Sequence, residues 1–278
     1  MVDQFLRPAS PGEAIRLKKQ TGGVFLAGGT ELNWKGAPNA DTLISLEGVD
    51  LAFVREDTGA MAIGPTITLQ SMADSGELEA AGLAVLQQAA RAIGSRPIRS
   101  LATLGGNIAS NKSCSDLIVP LLVLGATLTL ANADGDRDVP LDEYVAAPDR
   151  NALITAITVP VPGATTRVSL ERYSRSANDL ALINAALALQ LDSTTIREPR
   201  LALGGVAATV VRVSEAEEAL SGADAASGLD TVMDRFAAAI AAAIHPIDDT
   251  RGSAAYKTDI AVELCRRTLL ACVAEDRI

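Results

Sequence analysis

The sequence predicts an α+β protein in two units, on three observations. Short apolar strands and capped helices alternate as far as Pro160. Beyond Pro160 and Pro162 the character changes to apolar segments separated by turn-rich stretches, which suits an antiparallel meander followed by helices. The 278 residues match two units at roughly 150 residues per domain. The boundary falls near 163–168, giving units 1–165 and 166–278, the first with lobes of about 1–55 and 56–165.

The elements follow in order. Ser10-Pro11-Gly12-Glu13 reads as a capping box, with Pro at the first helical position and Glu at the third. That helix should run to about Gln20 and stop at Gly22-Gly23. Val24–Ala27 reads as a buried strand broken by Gly28-Gly29, and Asp41–Leu46 as another. Leu51–Arg55 and Ala60–Gly64 read as strands joined by the Asp57-Thr58-Gly59 turn. Gly82–Ile93 is helical by pattern, with Gly94 as its stop. Ser115–Leu124 follows as a helix with Ser115 as cap, then strands at Ala126–Leu130 and Ala152–Val161.

In the second unit Val168–Tyr173, Ala181–Leu191 and Leu201–Val206 form the meander. Two of these also fit Ala-rich helices by periodicity alone. Ser214-Glu215-Ala216-Glu217 reads as a second capping box. Leu229–Ile244 and Gly252–Val273 are strong helices.

Composition removes several function classes. The apolar fraction of 48% excludes overall disorder. A net charge of −10 makes a nucleic-acid backbone an unsuitable partner. Three cysteines cannot supply the four thiolates of an iron–sulfur cluster, and the odd count fits a reducing compartment. One histidine, His245, leaves no His-rich zinc site and argues against a Ser–His–Asp triad. The N-terminal residues lack the pattern of a signal peptide, and no apolar run is long enough to span a membrane. A cytoplasmic location is the expectation.

Two Gly-Gly turns stand out, Leu26-Ala27-Gly28-Gly29-Thr30-Glu31-Leu32 and Thr103-Leu104-Gly105-Gly106-Asn107-Ile108. Glycines let the chain turn tightly, so that successive N–H groups can converge on an anion. Facing each other, the two turns could hold a pyrophosphate, with Thr30, Thr103 and Asn107 adding donors. Neither matches G-x-G-x-x-G or the Walker A pattern. Taken singly, each pair reads as ordinary turn punctuation, and spacing does not show that they meet.

The second turn in its longer context is more specific. Pro97-Ile98-Arg99-Ser100-Leu101-Ala102-Thr103-Leu104-Gly105-Gly106-Asn107-Ile108, then Ser115-Asp116, then Leu121 to Ala126, resembles the FAD-binding subunit of the molybdenum hydroxylases. This is the xanthine dehydrogenase and carbon monoxide dehydrogenase flavoprotein family. The first turn is similar to that family's A-G-G-T-[DE]-L. Leu203-Gly204-Gly205-Val206-Ala207 with Val211-Arg212, and Pro246-Ile247-Asp248-Asp249-Thr250-Arg251-Gly252-Ser253-Ala254-Ala255-Tyr256-Lys257, extend the resemblance over nearly the whole chain.

The resemblance implies a two-lobed FAD-binding domain of the vanillyl-alcohol-oxidase (PCMH) type, then a small domain of antiparallel sheet and helices. It implies that Leu26, Ala27, Gly28, Gly29, Thr30, Glu31 and Leu32 wrap the FAD pyrophosphate from one lobe. Thr103, Gly105, Gly106 and Asn107 would do so from the other, with Ala102, Ala109 and Ser110 alongside. Ser115 and Asp116 would sit near the adenosine, where a carboxylate can accept from ribose hydroxyls. Ile154 would pack near the adenine. Ile93 takes the place of an aromatic residue that covers the isoalloxazine in some members. Arg172 falls where members often carry a lysine near the flavin ring.

The resemblance further implies an electron-transfer flavoprotein, with no side chain acting as an acid–base catalyst. A large partner subunit would hold the molybdenum cofactor and a small one two [2Fe–2S] clusters, in an αβγ or (αβγ)₂ assembly. The electron acceptor would be NAD, oxygen, a quinone or a carrier protein. A scaffold subunit with a degenerate site and a free-standing flavin oxidase are the other classes. The loop Asn111-Lys112-Ser113-Cys114 departs from the family's usual A-S-P-x, and it lacks the cysteine-bearing insertion of 4-hydroxybenzoyl-CoA reductase subunits. Lys112 and Cys114 there read as a solvated lysine and a filler thiol. His245 reads as a helix-end residue, Cys265 and Cys272 as core, and Asp248, Asp249 and Arg251 as a cap and ion pair ahead of the last helix. Trp34 suits either the lobe interface or a partner contact.

Overall fold

The computed structural model describes residues 2–35 and 41–274. The chain opens with strand β1 (Gln4–Leu6), helix α1 (Pro11–Thr21), β2 (Val24–Leu26), α2 (Thr30–Lys35) and β3 (Thr42–Ser45). Ser10 Oγ accepts from the Glu13 N–H, and Glu13 Oε2 reaches back to the Ala9 N–H rather than to that of Ser10. Gly22 closes α1 at φ 67, a left-handed cap that a β-carbon would strain. The three strands form a parallel sheet in the order β1-β3-β2. Ala14, Ile44, Leu46, Val49, Leu51 and Leu153 make its own core, and this is the first lobe. Trp34 lies on α2, but its side chain falls outside the described residues.

The second lobe begins with β4 (Val54–Asp57) and β5 (Ala60–Ile63), hinged where Thr58 and Gly59 both have positive φ. Four short helices follow at α3 (Leu69–Ala73), α4 (Gly76–Ala80), α5 (Ala84–Ala92) and α6 (Arg96–Arg99). Then come α7 (Leu104–Ser110), α8 (Ile118–Val123), β6 (Thr127–Asn132), β7 (Gly135–Pro140), α9 (Leu141–Ala146) and β8 (Leu153–Pro160). The strands make an antiparallel sheet in the order β4-β5-β8-β6-β7. Leu69, Leu83, Leu86, Leu104, Leu117 and Leu128 are among the side chains fully withdrawn from solvent in its core.

The last part carries β9 (Thr166–Tyr173), β10 (Ile183–Asp192), β11 (Thr195–Gly204) and β12 (Val211–Arg212), an antiparallel sheet in the order β12-β11-β10-β9. Helices α10 (Ser214–Leu220), α11 (Leu229–Ala243) and α12 (Ala254–Val273) follow. Ile183, Ala185, Leu187 and Leu189 join a core with Phe236, Ile240 and Cys265. The alternate residues Ala186 and Ala188 belong instead to the core of the second lobe. Strand β10 is therefore buried on both faces. That explains the apolar run Ala185–Leu189 with small residues on one side, which periodicity could not separate from an Ala-rich helix.

The second expected capping box does not form. Val213 takes the cap position with no side-chain bond. Glu217 instead accepts from the Leu201 N–H at 2.8 Å and from Arg212 Nη2 at 2.7 Å, so its carboxylate ties α10 to β11 and β12. Among the described residues, no helix is long and apolar enough to cross a membrane.

Candidate functional site

The first glycine turn meets the segment that leads into the second. A β-carbon on Gly28 would stand 1.7 Å from the Leu101 carbonyl oxygen and 3.1 Å from the Ala102 nitrogen. Only glycine permits so close an approach of two backbones. Gly29 then turns at φ 69, and Thr30 opens α2. Among the described residues, the N–H groups of Gly28, Gly29 and Thr30 find no acceptor. Three successive unmatched amides at a partly sheltered turn form a concave set of donors suited to an anion. Leu26 ends β2, where its carbonyl accepts from the Leu46 N–H, and Ala27 packs on the first-lobe core.

The second turn is the start of α7. Thr103 caps it, accepting from the Gly106 N–H at 3.2 Å. The two glycines have different surroundings. A β-carbon on Gly105 would lie 2.5 Å from Pro65 Cβ, so Gly105 serves close packing inside the lobe. One on Gly106 would meet Thr103 Oγ1 at 2.9 Å. Ser115 Oγ donates to Asn107 Oδ1 at 2.7 Å, which fixes the carboxamide and assigns its Nδ2 group the donor role. Ser115 Oγ also accepts from the Ile118 N–H, but the cap position of α8 falls on Leu117 rather than on Ser115 as the sequence suggested. Ser110 Oγ donates to the Asn107 carbonyl, Arg150 donates to the Ala109 carbonyl, and Ala102 accepts from the Leu69 N–H.

Asp116 is only 5% exposed. Its Oδ1 accepts from Arg172 Nε at 3.0 Å and from Asn184 Nδ2 at 2.8 Å. Burial pushes its carboxyl above the ordinary range, while the Arg172 charge and the two hydrogen bonds pull the other way. Arg172 also donates through Nη1 to Ser174 Oγ at 2.6 Å and through Nη2 to the Asp179 carbonyl. Asp116 and Arg172, expected on different parts of one cofactor, are thus one buried ion pair between the second lobe and the C-terminal sheet. Asn184, which no sequence signal singled out, is its third member.

The departed loop 111–114 sits at the junction of all three parts. Asn111 Nδ2 donates to the Val145 carbonyl at 2.9 Å. The Ser113 carbonyl accepts from the Gly205 N–H at 2.7 Å, and a β-carbon on Gly204 would come within 2.8 Å of that same oxygen. The Gly204-Gly205 pair therefore receives this loop. Lys112 Nζ pairs with Glu31 Oε2 of the first turn, so the lysine is not a solvated one.

Ile93 ends α5 and packs partly on the second-lobe core. Ile154 is 6% exposed on β8, opposite Leu130, within that core. Ile98 and Leu101, not singled out by the sequence, are 44% and 58% exposed beside the contact with Gly28. Farther off, Asp249 joins Arg251 and the buried Lys257, and Ser253 caps α12.

This architecture, two glycine-turn lobes closed by a sheet-and-helix domain, defines a bipartite flavin-binding class. Residues 2–162 match the model of the FAD binding domain in molybdopterin dehydrogenase, and residues 169–272 match the CO dehydrogenase flavoprotein C-terminal domain. The chain belongs to this family of FAD-binding oxidoreductase subunits. It is 34% identical to the uncharacterized protein YgfM of Escherichia coli K12, over 92% of this chain and 91% of that one. It is 29% identical to the carbon monoxide dehydrogenase medium chain of Hydrogenophaga pseudoflava, over 98% and 97%. The solved carbon monoxide dehydrogenase of that organism, lacking the Mo-pyranopterin moiety of its cofactor, superposes with a TM-score of 0.92 at 28% identity, covering 97% of this chain and 96% of that one.

Proposed function

We propose that this chain is the flavin-bearing electron-transfer subunit of a molybdenum hydroxylase complex. It receives electrons from [2Fe–2S] clusters of a small partner subunit and passes them to an external acceptor, while a large subunit holds the molybdenum cofactor. The observation that carries the reading is the approach of Gly28 to Leu101 and Ala102, which lead into α7, with the unmatched amides of Gly28, Gly29 and Thr30 beside that contact. Such a donor set fits the diphosphate of FAD without a cluster of Lys and Arg. FAD, when bound, supplies the redox chemistry; the protein supplies binding, orientation and electrostatics.

The individual roles follow from position. Leu26 to Leu32, with Ala102, Thr103, Gly106, Asn107, Ala109 and Ser110, form the cradle, and Gly105 supports it by packing. Ser115 orients Asn107. Arg172 and Asn184 hold Asp116 and tie the C-terminal sheet to the second lobe. Ile93 and Ile154 supply apolar walls.

The test is an absorption spectrum of the purified chain and of the chain with added FAD, followed by chromatography of the ligand released on denaturation. Flavin bands with FAD released, and co-purification with a large and a small subunit, are the expected results. A chain that takes up no FAD, alone or in its complex, would leave only a scaffold role.

A further inference from the structure

We propose that Lys112 is a positioning residue for the diphosphate, cancelling the charge of Glu31 at the first glycine turn. The inference rests on the flavin-binding reading above. Glu31 is the second residue of α2, directly after the unmatched amides of Gly28, Gly29 and Thr30. A bare carboxylate there repels the anion those amides are arranged to receive. Lys112 Nζ sits on Glu31 Oε2 from the opposite lobe.

The lysine is delivered by a fixed loop. On one side Asn111 is anchored to the Val145 carbonyl, and on the other Ser113 is anchored to the Gly205 N–H. Its side chain is 32% exposed and that of Glu31 28%, so solvent screens the pair only in part. The pair and the Gly28–Leu101 contact bracket the turn, one at each end. The loop thus supplies a counter-charge from the opposite lobe, in a chain with a net charge of −10.

The experiment is calorimetric titration of the full-length apoprotein with FAD, for wild type, K112M, K112R, E31Q and E31Q/K112M. Circular-dichroism melts report the fold of each. K112M should bind FAD roughly fivefold more weakly, the scale of a partly exposed charge pair, and K112R should stay near wild type. E31Q should bind more tightly, and E31Q/K112M should return toward wild type, because the negative charge beside the turn is gone. The rescue distinguishes charge cancellation from a structural strut, which the double variant would not restore.

Equal affinity of wild type, K112M and E31Q overturns the inference while leaving the flavin reading intact. So does a double variant no better than K112M. A wild-type chain that binds no FAD, alone or in its complex, removes the flavin reading, and the inference with it. If K112M fails to fold, E31Q and K112R still decide the matter.

Discussion

Gly28 lies so close to Leu101 that a β-carbon on the glycine would stand 1.7 Å from the leucine carbonyl oxygen. This approach helps join the two lobes, which share no sheet. It brings the first glycine turn onto the segment that leads into α7. A neighbouring glycine, Gly105, does different work, since its α-carbon faces Pro65 within its own lobe.

Gly28→Ala should therefore force the lobes apart. The expected outcome is loss of FAD retention together with a lower melting temperature. Gly106→Ala makes a useful contrast, because its β-carbon would meet only the Thr103 hydroxyl, at 2.9 Å. That variant should melt close to wild type. Flavin content and thermal melts of the two proteins check the difference.

Arg172→Met should destabilise the protein by about 3 kcal/mol, because it leaves Asp116 buried without its cation. The loss should depend on pH. Burial already raises the Asp116 carboxyl, and removing Arg172 raises it further. Near pH ~4, the ordinary value for an unfolded Asp, the group can carry its proton in both states and the deficit is smallest. The deficit should grow as pH rises toward neutrality, where the folded state must hold a bare charge or a bound proton. Urea unfolding at about pH 4.5 and about pH 8 measures this; an equal deficit at both values would argue against the assignment.

Asp249 behaves in the opposite sense. Burial pushes its carboxyl up, but hydrogen bonds from Lys257 and Arg251 outweigh that and hold it well below the usual range. Its contribution to stability is thus complete above pH ~4 and is lost as pH falls through the folded value. Asp249→Asn should remove this acid-side dependence. It should also cost about 3 kcal/mol at neutral pH, since Lys257 is 2% exposed and would keep only the Ile247 carbonyl among the acceptors seen here. Unfolding midpoints between about pH 3 and pH 7 give the comparison.

All three thiols are buried, and burial pushes that of Cys265 up. A thiol reagent should label Cys114, Cys265 and Cys272 slowly in the native protein and rapidly in denaturant. Fast labelling of one native cysteine would show local opening at that site.

Several elements were plain in the sequence because short-range chemistry decides them. Ser10 bonds the N–H three residues on, and Gly22 takes the left-handed cap. The strands of the meander lie where apolar runs and turns alternate. Helices α3, α4 and α6 left no comparable signal, because four or five residues are too few to show a period. At Ser214 the local signal pointed elsewhere than the fold. Glu217 gains more from a buried strand amide and an arginine than from the cap its spacing suggested.

The sequence by itself determined the kinds of element, the two glycine turns and the family pattern that joins them. Each depends on side chains a few residues apart, or on motifs that keep their order along the chain. Tertiary structure alone decided that Gly28 meets Leu101, that Lys112 crosses to Glu31, and that Asp116 is shared by Arg172 and Asn184. Those partners lie far apart in sequence. Their meeting depends on how the three sheets pack, and no local preference encodes it.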